Sequence, residues 1–102
     1  MGENGKYSLI EDDKIIGIYG NTLSRIKAER NFGRVKEGEK GGYIQSPANL
    51  SDKGNAWVSG DAQMYGNAWV SGSAWVSGDA WVSGNAQVDG NAQVSGNAWV
   101  SG

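Results

Sequence analysis

The second half of the chain repeats every six residues, and no other feature limits its folding so strongly. From Asn55 it reads NAWVSG, DAQMYG, NAWVSG, SAWVSG, DAWVSG, NAQVDG, NAQVSG, NAWVSG, eight units without insertion. Alanine is second and glycine sixth in every unit; the fourth residue is valine in seven units and methionine (Met64) in one. Within a unit, Ala-x-Val alternates as a strand does, so Ala56 and Val58 point one way and Trp57 and Ser59 the other. Glycine followed by Asn, Asp or Ser supplies a bend, because these residues tolerate positive φ or bond their own backbone. A short strand and a corner, repeated, predicts a solenoid. Three sides of six residues close a triangular coil of eighteen, and coils stack at roughly 4.8 Å through parallel ladders.

Two less regular rungs precede the perfect ones. Gly42-Tyr43-Ile44-Gln45 places Ile44 in the valine place and Gly42 in the alanine place. Ala48-Asn49-Leu50-Ser51 does the same with Leu50 and Ala48. Ser46-Pro47 makes one corner and Asp52-Lys53-Gly54-Asn55 a longer one. Ten rungs over residues 42–102 predict about three coils.

The pattern Val-x-Gly-x-Ala-x resembles the hexapeptide repeat of left-handed parallel β-helix proteins, the superfamily that includes bacterial acyltransferases. That resemblance implies the left hand; the right-handed crossover rule would give the opposite sense. The stretches Leu23–Phe32, Gly33–Gly38, Gly41–Ile44 and Asn49–Ser51 resemble the leader of a narrower group of bacterial and prophage hexapeptide-repeat proteins. The units here are unusually uniform, as recent duplication or a consensus-style design would leave them. The fold expected is all-β: a left-handed triangular β-helix of about three coils behind a small N-terminal β cap.

Residues 1–41 form that cap. Tyr7–Ile10 and Lys14–Tyr19 read as two strands around the acidic turn Glu11-Asp12-Asp13, and Gly20-Asn21 as a second turn. Thr22–Ala28 fits a third strand or a helical turn. Phe32 and Val35 are expected on the first coil. A solenoid end is an open sheet edge over an exposed core, so a covering segment is required. Arg25, Lys27, Arg30 and Arg34 interleave with Glu29 and Glu37, which favours a solvated surface over a partner site.

Residues eighteen apart stack, so the rows can be written down. The outward rows are Trp57, Trp75, Gln93; Gln63, Trp81, Trp99; and Trp69, Gln87. The inward rows are Val58, Val76, Val94; Met64, Val82, Val100; and Val70, Val88. Asp61, Asp79 and Asn97 share a corner, where the stacked aspartates repel. Five outward tryptophans (Trp57, Trp69, Trp75, Trp81, Trp99) make a candidate interaction surface, or else structural ladders of the cross-β kind.

Chemistry finds little support. The chain has no cysteine and no histidine, which removes thiolates and the commonest general base and metal ligand. The superfamily's acyltransferases generally use a histidine, so that activity does not transfer. No dinucleotide or phosphate-loop motif occurs. Net charge is −2, with a single Lys and four Asp after residue 50, so no basic stripe for nucleic acid exists. No apolar run approaches the ~20 residues of a membrane span, and no signal peptide opens the chain; a cytoplasmic protein is expected.

The reading is a non-enzymatic scaffold without cofactor or metal. It is expected to self-associate end to end through the uncapped coil bearing Val88, Val94 and Val100. The alternatives are a binding protein, with a phage-encoded origin as one option, that engages a host protein or glycan through its Trp/Ser faces, and a degenerate transferase.

Overall fold

The computed structural model describes residues 6–17, 20–51 and 54–100. Among them it is all-β, apart from one 3-10 turn at Pro47–Asn49, with parallel coils stacked into a solenoid of about three turns. The strands are β1 (Tyr7–Ile16), β2 (Thr22–Ala28) and β3 (Lys40–Ile44). Then come the two-residue rungs β4 (Trp57–Val58), β5 (Gln63–Met64), β6 (Trp69–Val70), β7 (Trp75–Val76), β8 (Trp81–Val82), β9 (Gln87–Val88), β10 (Gln93–Val94) and β11 (Trp99–Val100). No helix among the described residues is long and apolar enough to cross a membrane.

The eighteen-residue register holds throughout the perfect repeats. Trp57 pairs with Trp75, Trp75 with Gln93, Gln63 with Trp81, Trp81 with Trp99, and Trp69 with Gln87. The inward residues pair in the same way, and Val58, Met64, Val70, Val76 and Val82 are all fully buried. Each rung is two residues long because the next corner follows at once. At one corner the Ala62 N–H donates to the Ser59 carbonyl at 3.3 Å, and Gly60 between them has φ +63°. Glycine alone carries the bend: among the described residues no other type has positive φ, so the Asn, Asp or Ser after it stays in ordinary backbone space.

The two irregular rungs are offset by twenty residues. Ile44 pairs with Met64, and Leu50 with Val70, because the corner before Asn55 is two residues longer. Gly42 occupies the alanine place since a Cβ there would lie 2.7 Å from the Ala62 carbonyl oxygen and from the Val58 Cγ1. Ala48, expected in that place, is exposed instead. The Ser46-Pro47 corner winds into the 3-10 turn, capped by the Ser46 side chain, and turns Asn49 inward. Asn49 Nδ2 donates to the carbonyls of Gly66 and Ala68 (3.1 and 2.8 Å), so a side-chain amide takes over part of the ladder.

The leader adds two antiparallel strands to one face. The sheet order is β1-β2-β3-β5-β8-β11, with the remaining rungs in sheets β10-β7-β4 and β6-β9. β2 alternates as a strand: Ile26 and Ala28 join the core, and Lys27 faces solvent. The expected hairpin about Glu11–Asp13 is not formed. Tyr7–Ile16 is one strand, and the acidic residues form an outsized bulge in which residues 10–13 oppose Arg25 alone. The attraction is electrostatic: Asp13 Oδ2 lies 3.1 Å from Arg25 Nε. The turn at Gly20-Asn21 is present, closed by the Gly17 N–H to the Asn21 carbonyl at 2.8 Å, whereas Ile18 and Tyr19 lie outside the described residues. Tyr7 and Lys6 tie the start of β1 to the first coil, donating to the carbonyls of Leu50 (2.6 Å) and Ser51 (2.9 Å).

Candidate functional site: the outward aromatic rows

Each face of the solenoid puts its outward row to a different use. On the β4 face the leader folds back over the first two tryptophans. Phe32 and Val35 exchange backbone hydrogen bonds at 3.0 and 2.7 Å, which turns the intervening loop onto the sheet. The Phe32 ring then meets Trp57 edge-on at 5.3 Å. Arg34 sets its guanidinium 4.7 Å above the Trp75 ring. Trp57 is therefore fully buried, which corrects the expectation that it contributes to an exposed surface. Its Nε1 has no hydrogen-bond partner among the described residues.

The β5 face carries a second buried cluster outside the shaft. Leu23, Tyr43 and Tyr65 pack together, with Ile15 and Trp81 against them. Tyr65 approaches Trp81 edge-on at 6.2 Å, and its hydroxyl meets Gln63 Oε1. Below this cluster Trp81 and Trp99 stack at 5.0 Å, 17° from parallel, so their faces are turned on each other and Trp99 is 68% exposed. The geometry is a ladder in which Trp99 keeps one ring face on Trp81. The β6 face has only Trp69 above Gln87; Trp69 is 37% exposed. Trp69 and Trp99 thus lie on different faces, and the five tryptophans do not form one patch.

Sequence reasoning missed the arrangement around Arg25. Its Nη1 donates to the carbonyls of Gly41 (2.7 Å) and Gly60 (3.3 Å), and its Nη2 to the Tyr43 hydroxyl (2.7 Å) and Asp61 Oδ1 (3.3 Å). The guanidinium also lies 4.3 Å from the Tyr43 ring centre. Burial weakens its hold on its proton, but Tyr43, Asp61 and Asp13 outweigh that and raise the pKa above the ordinary arginine value. Asp61, expected only to repel Asp79, is partnered by this cation. The signal available was Arg25 on the alternating strand Thr22–Ala28, but other cations flank it and no spacing rule links it to residue 61. The corner asparagines add a rung of their own, Asn67 Nδ2 donating to Asn85 Oδ1 at 3.2 Å.

Of the candidate association residues, Val88 is buried, while Val94 and Val100 are half-buried. No cleft opens among the described residues, and no three acidic groups there lie close enough to hold a metal ion. A family model described as YdcK Beta solenoid repeat matches residues 62–78, one coil of the present fold. Neither the curated proteins nor the solved structures compared with the chain give a match.

Proposed function

We propose that the chain is a non-enzymatic β-solenoid scaffold that associates with a second copy through the coil bearing Val88, Val94 and Val100. The observation that carries this reading is the fading cover of the aliphatic shaft. Val58, Val76 and Val82 are fully buried, whereas Val94, Val100 and the neighbouring Trp99 are not. Half-covered valines on one coil favour contact with a second apolar surface. The non-enzymatic reading rests on a sequence without histidine or cysteine and on aromatic contacts made within the fold, Phe32 on Trp57 and Trp81 on Trp99. The left-handed sense implied by the hexapeptide resemblance belongs to the same reading.

Size-exclusion chromatography with light scattering tests it across a concentration series. Wild-type protein should move from monomer toward dimer, and Val94→Lys with Val100→Lys should hold it monomeric. A strict monomer at high concentration, or unchanged association in the double variant, overturns the proposal.

A further inference from the structure

We infer that Gln63, Met64 and Tyr65 are the recognition site by which the solenoid takes its own leader, and so fix which coil the leader covers. The need arises from the sequence itself. Eight nearly identical units offer the leader nearly identical docking edges.

The leader's contacts divide into those that repeat and those that do not. Phe32 on Trp57 repeats, because Trp75 stands eighteen residues on in the same row. Arg25 on Asp61 repeats, because Asp79 occupies the same place one coil on. Asn49 binds the backbone of Gly66 and Ala68, and Gln45 Oε1 accepts the Gly66 N–H at 2.6 Å; Gly84 and Ala86 would serve as well. None of these contacts distinguishes one coil from the next, whereas Arg34, which lies over the Trp75 ring, would meet Gln93 one coil on.

Three positions do. One coil on, Gln63, Met64 and Tyr65 become Trp81, Val82 and Ser83. Met fourth and Tyr fifth occur together only in the unit 61–66. Tyr65 fills the space left by the missing side chain of Gly17, within the cluster of Leu23 and Tyr43. Gln63 accepts from the Tyr65 hydroxyl and lies directly opposite Tyr43. Met64 stacks under Ile44. A leader displaced by one coil would set Tyr43 against an indole and Gly17 against a serine, with a phenol-sized void between.

The ladder alone guards weakly against that displacement. Looping out one coil forfeits only its net stability, a small difference between large terms, and the closure cost of such a loop rises slowly with length. The three side chains therefore decide the register.

Hydrogen exchange by mass spectrometry tests this on two variants of the full chain. The erased variant carries Gln63→Trp, Met64→Val and Tyr65→Ser. The transplanted variant adds Trp81→Gln, Val82→Met and Ser83→Tyr. The wild-type chain should protect residues 61–66, whose place on β8 a displaced leader would take. The erased variant should give two mass populations there, one exchanged. The transplanted variant should lose protection over 61–66 while Thr22–Ala28 stays protected. The chain lacks cysteine, so Gln45→Cys with Ser83→Cys adds a second reading in the wild-type and erased backgrounds. These positions stand two ladder steps apart, about 9.6 Å, beyond disulfide reach. The pair should stay reduced in wild type and oxidise in the displaced register. Protection of 61–66 retained in the transplanted variant overturns the inference. So does loss of leader protection in both variants, since the leader should dock wherever the three residues stand.

Discussion

Gly17 and Tyr65 are complementary: a Cβ on Gly17 would overlap the Tyr65 phenol ring, which is buried against that bare backbone. Gly17→Ala should therefore destabilise the chain by about 1–3 kcal/mol through overpacking. The same change in a Tyr65→Ser background should cost much less, because the clash partner is gone. Urea denaturation of the two single variants and the double variant closes the cycle, with a coupling of about 1–2 kcal/mol expected. Additive losses would show that the two residues do not act together.

Arg25 joins β2 to both the first rung and the corner at Asp61, through its planar fork and through its face on Tyr43. Arg25→Met should cost about 2–3 kcal/mol, since it strips charge-assisted bonds from Asp13, Asp61 and two carbonyls. Arg25→Lys should recover less than half, because an ammonium cannot reproduce the bidentate, stacked geometry. The pH dependence has a definite sign. A pKa raised on folding gives stability that is complete below the unfolded value and is lost only as pH rises through the folded one. Arginine titrates above about pH 12, so deprotonation of Arg25 should add no pH dependence from about pH 6 to about pH 10. Thermal melts of wild type and Arg25→Met across that range measure it, and a gap that narrows toward alkaline pH would contradict it.

The corner row sets Asp61 above Asp79, and of the two only Asp61 meets a cation within 4 Å among the described residues. Asp79→Asn should raise the melting temperature at low salt by a degree or so, with the gain fading as salt screens the repulsion. Asp61→Asn should lower it, since it leaves Arg25 one acceptor short. Melts at low and high ionic strength distinguish the two. A fall in both variants would mean that the carboxylates serve the corner through hydrogen bonding rather than charge.

The solenoid was legible because a six-residue period with fixed Ala, Val and Gly specifies strand, shaft and corner together, as the Val58/Val76 and Met64/Val82 pairs bear out. The leader was less legible because its contacts are long-range. Nothing local reveals that Phe32 covers Trp57, that Asp13 joins Arg25 across a bulge, or that Tyr65 answers Gly17. Asn49 misled for a similar reason: its neighbour Ala48 fits the pattern, yet the Ser46-Pro47 cap winds the rung into a 3-10 turn. The recurring Trp of the third place likewise conceals unequal environments, since a repeat specifies a row and the leader then covers only part of it.

That inequality gives a sharp contrast between two tryptophans of identical sequence context. Trp57 lies fully buried under Phe32, and Trp99 is 68% exposed with one face on Trp81. Trp57→Ala should cost about 3–5 kcal/mol, the price of an aromatic-sized cavity. Trp57→Phe should cost less, because it keeps most of the ring contact and removes a buried N–H that has no acceptor among the described residues. Trp99→Gln should cost no more than about 1.5 kcal/mol, the worth of one aromatic pair, and Gln93 shows that the outward place accepts that residue. Urea denaturation ranks the three variants. If Trp99→Gln proved as damaging as Trp57→Ala, the outward ladder would carry the fold far more than its exposure implies, and Trp99 would lose its place among the residues open to a partner.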